Sequence, residues 1–530
     1  MEFIGMQPGK TSLTSNCLNT VRGHVEKNPN KIALRTENFS ETYAEMWQRC
    51  TRLANAMIDM GIKKPDLAIT YMPNCYQYVE IMVATIMAGL PLTLGNYRLI
   101  GDEIVYQIND SGATILFVHP EQFKVLSSLR DQLPNVKQII VIGEPVTEGA
   151  TSYEALIAIG SSGVPDVAIL PEDLHLLFYT SGTTGNPKGA ARSLFCDYNM
   201  SISTIIELGL RGDDSLLVVA PMYAAATFGY VYSTLMVGGT ICVAPAFIPE
   251  ETLRLIDFYK PSFLFMVPIM FDWMLSLPAE TIAKYDLSSL RIATACGAPM
   301  HTTIFQKMAD HFKNATVLNM LGCSELGFVT RITTDEWLKQ GKANSIGKAV
   351  FDLELKIFDE NGVEVAPGEV GLLYARSPQL FDGYWGNEAG TKEAFLDHEW
   401  GTVGDMARKD EDGYYYLVDR AKDMIVSGGT NIYPAEIEGI LLQIEGISDA
   451  GVIGVPDEKW GEIVKAVVVL KPGYMVSEEE IIAFCRQRLA GFKVPKSVDY
   501  IDLIPRNAVG KMLKKDLRKK YWEGRDAFIS

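Results

Sequence analysis

Histidine is scarce in this chain, with six among 530 residues, and the eight cysteines (17, 50, 75, 196, 242, 296, 323 and 485) form no Cys-x-x-Cys pair. These absences exclude a His/Cys zinc centre and a disulfide framework, and reduced thiols in a cytoplasmic protein are expected. Positive charge is in deficit: 48 Lys and Arg face 65 Asp and Glu, a formal net charge of −17. A nucleic-acid-binding surface would be basic, so that class is excluded. The N-terminus lacks a basic region followed by an apolar core, and Ala527-Phe528-Ile529-Ser530 is no address motif, so neither a signal peptide nor a C-terminal targeting signal is expected.

A long unbroken apolar run is missing too. Ser215 to Pro249 contains no Asp, Glu, Lys, Arg or His, but Pro221, Gly238-Gly239 and Pro245 interrupt it. A membrane span needs about 20 continuous apolar residues. The stretch instead predicts a buried strand at Leu216–Ala220, a buried helix near Ala224–Val237 and a buried strand at Thr240–Val243. Such a helix has no solvated face, so it belongs inside a large domain, where it can wall an apolar pocket.

Hydrophobic residues make up 48% and charged residues 21%, as in an ordinary globular protein too long for one core. The N-terminal part alternates helical and strand-like patterns: helices at Tyr43–Met60, Tyr76–Met87 and near Phe123–Leu129, strands at Leu67–Tyr71, Ala113–Val118 and Gln138–Ile142. This rhythm predicts parallel sheets covered by helices. From Leu353 the texture changes to antiparallel strands, Leu353–Asp359, Gly371–Ala375 and Tyr414–Val418. A small α+β domain follows, with helices at Ala435–Gln443 and Glu478–Arg488 and strands at Ala450–Val455 and Ile463–Leu470. The lysines between Lys511 and Lys520, Lys514 and Lys515 among them, read mostly as a solvated face.

One segment stands out chemically: Tyr179-Thr180-Ser181-Gly182-Thr183-Thr184-Gly185-Asn186-Pro187-Lys188-Gly189-Ala190, directly after the apolar run Leu174–Tyr179. Glycines let backbone N–H groups close around an anion, hydroxyls add donors, and a lysine adds a point charge suited to phosphate. The pattern differs from the Walker P-loop, because Lys188 is followed by Gly189 instead of Ser or Thr. A polyphosphate cradle at a strand end is the expectation, against the plain alternative of a flexible surface loop.

Thr-Ser-Gly-Thr-Thr-Gly-x-Pro-Lys-Gly resembles the signature of the adenylate-forming superfamily, which includes acyl-CoA synthetases, firefly-type luciferases and adenylation domains of peptide synthetases. The resemblance covers nearly the whole chain and extends to further motifs. Leu321-Gly322-Cys323-Ser324-Glu325 stands where the family has Tyr-Gly-x-Thr-Glu. It implies adenine packing on Leu321, an α-phosphate contact from Ser324 and Mg²⁺ held by Glu325 with Thr184. Leu321 replaces an aromatic, which weakens stacking. Gly297-Ala298-Pro299 resembles the segment between adenine and the acyl site. Gly404-Asp405 and Arg420 would take the ribose hydroxyls, with Val403 in place of the usual Thr. Lys422 matches the family's pivot, Gly428-Gly429 would line the tunnel for the pantetheine arm, and Lys511 is the expected catalytic lysine, bridging carboxylate and α-phosphate.

The implied architecture is α/β: residues 1–418 form a large adenylate- and acyl-binding domain of parallel sheets with a small antiparallel barrel-like part, 419–423 a hinge, and 424–530 a mobile α+β domain. The implied activity is ATP-dependent ligation of a carboxylic acid to coenzyme A through an acyl-adenylate. The acyl pocket is expected around Tyr223, Ala224, Ala225, Phe228 and Met320, with Ala224 where many relatives have histidine. Its apolar lining favours a medium- or long-chain, alicyclic or aromatic acid, and the missing carboxylate disfavours an amino acid. Transfer to an acyl carrier protein and an inactive nucleotide-binding relative stay open as alternatives; nothing points to a luciferin pocket.

Overall fold

A computed structural model describes residues 17–144, 149–180, 187–420, 423–427, 430–457, 459–506 and 512–522, with the backbone alone at Cys17, Arg420 and Asn431. Ser181, Gly182, Thr183, Thr184, Gly185, Lys422, Gly428, Gly429 and Lys511 lie outside the described residues. The chain divides into two compact units, one of residues 1–180, 187–354 and 375–401, the other including 355–374 and 402–530.

The larger unit holds two sheets. Short, wholly buried strands such as Ala68–Tyr71, Ile115–Val118 and Phe263–Met266 cannot present a polar face, and they lie where both faces are covered, inside parallel sheets. One sheet has nine strands. Its parallel centre runs in the order Thr316–Cys323, Ile292–Cys296, Phe263–Met266, Ser215–Val218, Thr240–Val243 and Ile32–Arg35. The other has eight, with Leu174–Thr180, Leu92–Leu94, Ala68–Tyr71, Ile115–Val118, Gln138–Val141 and Thr151–Ser152 in parallel. The charge-free helix expected near Ala224–Val237 forms as Ala225–Met236, buried from Thr227 onward.

In the smaller unit, Val370–Arg376, Asp405–Lys409 and Tyr415–Arg420 pair antiparallel. Beyond them, Ile447–Asp457 and Gly461–Leu470 make a long antiparallel ladder, and Ser497–Tyr500 adds in parallel. Helices Pro434–Leu441 and Glu478–Arg486 cover this sheet through a core that includes Ile437, Leu441, Val452, Val468 and Ile481. One expectation is corrected here. Lys514 is not solvated: it is 10% exposed and pairs with Glu438 at 2.8 Å. Burial pushes the Glu438 carboxyl up, and Lys514 opposes that by stabilising its charge.

Candidate active site

The glycine-rich loop connects two paired strands. Leu174–Thr180 runs antiparallel to Lys188–Ser193, with Thr180 opposite Lys188 and Tyr179 opposite Gly189. The stems are fixed from outside. Tyr179 Oη donates to Asp110 Oδ2 at 2.7 Å, Tyr106 Oη donates to the Pro187 carbonyl at 3.0 Å, and Trp385 Nε1 donates to the Asp110 carbonyl at 3.2 Å. Strand Gly383–Tyr384 then pairs with Ala190 and Ala191.

Glu325 sits in the turn between Thr316–Cys323 and Gly327–Thr333, and is 7% exposed. Its carbonyl accepts from Phe381 N at 2.8 Å, and its Oε1 accepts from Tyr384 Oη at 3.0 Å. Thr180 Oγ1 lies 3.4 Å from both Glu325 Oε1 and the Lys188 carbonyl, and Lys188 Nζ stands 4.9 Å from the centre of the Tyr384 ring. Thr180, Lys188 and Glu325, expected from sequence, are thus brought together, and Tyr384 joins them.

Behind this group lies a buried charge centre that the motifs did not announce. Arg192, next to the loop stem, is 1% exposed. Its Nε donates to Asp197 Oδ1 at 2.6 Å, Nη1 to the Ser324 carbonyl at 2.9 Å and Nη2 to the Gln379 carbonyl at 2.9 Å. His175 Nδ1 is 2.8 Å from Asp197 Oδ2. Burial acts to raise the Asp197 carboxyl, but Arg192 and His175 outweigh it and hold the group below its usual range. Asp382 fixes the following turn, accepting from Ser193 N at 2.6 Å. No sequence motif singles out this centre, because its partners come together only through the fold.

The segments expected at the adenine and acyl sites lie at the C-terminal edge of the other sheet, where ligands of open parallel sheets bind. Cys296 pairs with Met320, so Gly297-Ala298-Pro299 follows one strand while Leu321-Gly322-Cys323 ends its neighbour. Gly297 takes φ +90°, and Gly297, Ala298 and Pro299 are exposed. Tyr223, Ala224 and Ala225 follow Ser215–Val218 at the same edge, with Ala224 capping the buried helix without a side-chain hydrogen bond. Phe228 and Met320 are enclosed behind that edge. The Phe228 ring packs on His175, Phe178 and Tyr232, and Met320 Sδ accepts from Tyr230 Oη at 3.3 Å. In the smaller unit, Asp405 and Arg420 are direct cross-strand partners. Gly404, at φ +78°, donates its N–H to Thr402 Oγ1 at 3.1 Å and turns the chain into Asp405.

The sequence matches the AMP-binding enzyme family over residues 21–385 and the AMP-binding enzyme C-terminal domain over residues 436–511. It is 34% identical over 497 residues to a feruloyl-CoA synthase of Amycolatopsis sp., covering 93% of this chain and 96% of that one. The fold is similar to ATP-bound MatB from Rhodopseudomonas palustris, with a TM-score of 0.84 and 27% identity over 96% of this chain and 99% of that one. It is also similar to o-succinylbenzoate CoA synthetase from Bacillus subtilis in complex with its acyl-adenylate intermediate, with a TM-score of 0.81 and 26% identity over 94% of this chain and 97% of that one. With both family models matched and relatives aligned over almost the whole chain, the chain belongs to the AMP-binding enzyme family and is an AMP-forming acid–thiol ligase.

Proposed function

We propose that this ligase activates an apolar medium- or long-chain, alicyclic or aromatic acid with ATP and passes the acyl group to free coenzyme A, in the cytoplasm. The observation that supports it most is the meeting of Thr180, Lys188 and Glu325 where the glycine-rich loop begins and ends. In the first half-reaction a carboxylate oxygen of the acid attacks the α-phosphorus in line, an acyl-adenylate forms, and pyrophosphate leaves. Lys188, with Thr180, Ser181, Gly182, Thr183, Thr184 and Gly185, receives the phosphates, and Ser324 the α-phosphate. Leu321, Gly322, Cys323 and Gly297-Ala298-Pro299 border the adenine, and Asp405 and Arg420 hold the ribose. Lys511 bridges the substrate carboxylate and the α-phosphate, offsetting charge in the transition state.

Mg²⁺ fits the donor set. One buried carboxylate, Glu325, stands among hydroxyls, and Mg²⁺ binds through one or two carboxylates while substrate phosphates fill other positions. Glu325 and Thr184 would hold it; when bound it neutralises phosphate charge. In the second half-reaction the thiol of coenzyme A attacks the acyl carbon and AMP leaves. A pivot at Lys422, within a hinge at 419–423, exchanges Lys511 for the Gly428-Gly429 face, so that one site serves two reactions.

Lys511→Ala separates the halves. Pyrophosphate release from acid and ATP should fall by at least about 10²-fold, the scale of losing a group that stabilises transition-state charge. Thioester formation from supplied acyl-adenylate and coenzyme A should be largely kept. Equal loss in both halves would refute the role of Lys511, and a need for a carrier protein in place of free coenzyme A would replace the proposed acceptor.

A further inference from the structure

The edge expected to take the acid carries a tyrosine, Tyr223, within the charge-free segment Ser215–Pro249. Tyr223 is 9% exposed, and among the described residues no group hydrogen-bonds its hydroxyl. Its oxygen is not among the atoms closed off from solvent, so the hydroxyl stays reachable and a bound molecule can complete it. Its ring meets Tyr97 edge to face at 5.9 Å between centres. The Arg98 guanidinium lies 5.7 Å from the centre of the Tyr97 ring. Burial pushes the Tyr223 pKa up, so the phenol keeps its proton and can donate.

The two tyrosines come from different sheets and are held rigidly. Tyr223 follows Ser215–Val218, while Tyr97 follows Leu92–Leu94, the neighbour of the strand that ends at Thr180. Asn74, 6% exposed, clamps the segment before Tyr223: its Nδ2 donates to the Ala220 carbonyl at 2.9 Å and its Oδ1 accepts from Met222 N at 2.8 Å. Gly95 fixes the other loop, because a Cβ there would lie 2.3 Å from the Thr70 carbonyl oxygen and 2.8 Å from the Tyr71 ring. A donor that cannot swing away is suited to read one position on a bound molecule.

We propose that Tyr223, positioned by Tyr97 and Arg98, makes the enzyme select acids whose apolar body carries a neutral oxygen, such as a hydroxyl, ether or ketone, away from the carboxylate. This rests on the acid–CoA ligase reading and narrows its substrate class. Sites built to hydrogen-bond a substrate oxygen discriminate strongly against the analogue lacking it.

The test compares kcat/KM in CoA-dependent AMP release for matched acids: cinnamate with para-hydroxycinnamate, and hexanoate with its ω-hydroxy and ω-methoxy analogues. Wild type should favour an oxygenated member by about tenfold or more. Tyr223→Phe should bring that ratio close to one, mainly through KM. Arg98→Leu should lower it in part, and Arg98→Lys should restore some of the loss. Tyr97→Leu, which removes the ring that packs on Tyr223, gives a second route to the same loss if Tyr223→Phe does not fold. Turnover by wild type with no preference in any pair, or a preference kept in Tyr223→Phe, overturns the inference and leaves the ligase reading standing. No CoA ester from any of these acids would count against the substrate class proposed above, and against this inference with it.

Discussion

Arg192 shows how a single buried charge can tie distant segments together. A guanidinium sealed from water is tolerable only when its charge and its N–H groups are all answered. Asp197 supplies the charge, and the Ser324 and Gln379 carbonyls and Met200 Sδ accept from the terminal nitrogens, which ties the loop stem to the residue beside Glu325. Arg192→Met would leave Asp197 buried with His175 alone for company, so unfolding free energy should fall by about 3–5 kcal/mol in a denaturant titration. Adding Asp197→Leu should cost less than the sum of the two single changes, because they remove the same interaction. A loss below about 1 kcal/mol for Arg192→Met, the scale of an exposed pair, would contradict this account. Arg192 was hidden in the sequence because its meaning depends on partners at 324 and 379 that only the fold brings near. Tyr384, 59 residues from Glu325, was hidden for the same reason.

At the scale of elements, two features carry predictions. Gly322 sits where a register shift bends the hairpin toward Glu325, and a Cβ there would lie 2.8 Å from the Gly327 carbonyl oxygen and 3.1 Å from the Phe328 ring. Backbone cannot yield as a side-chain tip can, so Gly322→Ala should destabilise by about 1–3 kcal/mol and lower kcat/KM as the Glu325 turn shifts. Thermal melting and steady-state kinetics check both.

The second feature is a buried acidic group linking strand Ser40–Thr42 to three helices. Glu41 is 2% exposed, neither carboxyl oxygen has a hydrogen bond among the described residues, and Arg49 Nε is 3.6 Å away. Arg49 is engaged by Glu80 and Glu154, and Tyr153 Oη donates to Glu80 Oε2 at 2.9 Å. Burial, together with the charge of Glu80, pushes Glu41 up to about 9 against the pull of Arg49. The unfolded chain ionises it near about 4.3, so between these values the folded state binds the extra proton. Stability from this group is present below the lower value and is lost progressively as pH rises to the upper one. Melting temperature should therefore fall from pH 5 to pH 9, and Glu41→Gln, which keeps the neutral shape, should flatten that slope. An equal slope in the variant would remove Glu41 as its source.

Elements with a local cause were legible in the sequence. Thr240–Val243 forms as expected, directly after the Gly238-Gly239 break, and Tyr76–Met87 forms to the residue. In the smaller unit the helix expected at Glu478–Arg488 appears as Glu478–Arg486, with a full capping box at Ser477 and Glu480. Lys514 was misread because a lysine-rich helix looks solvated until Glu438 arrives from a distant helix.

At the scale of the whole molecule, the second compact unit takes up the chain at Leu355, near the change of texture at Leu353. That residues 375–401 return to the first unit was not visible, because it depends on Gly383-Tyr384 pairing with Ala190 and Ala191 far upstream. The excess of negative charge, −17, gives no general attraction for ATP or coenzyme A. Affinity for these anions has to come from local donors, so Lys188→Ala should raise KM for ATP by about tenfold or more in steady-state kinetics, even at moderate salt. An unchanged KM would remove Lys188 from the phosphate site.

The central claim is that the acid is first joined to AMP and only then to the thiol. Mixing enzyme, labelled ATP and an apolar acid without coenzyme A, then separating the nucleotides from a single turnover, tests it directly. The account predicts pyrophosphate together with an enzyme-bound acyl-adenylate, which disappears into AMP and acyl-CoA once coenzyme A is added. ADP and inorganic phosphate as products, or no nucleotide cleavage until coenzyme A is present, would contradict it.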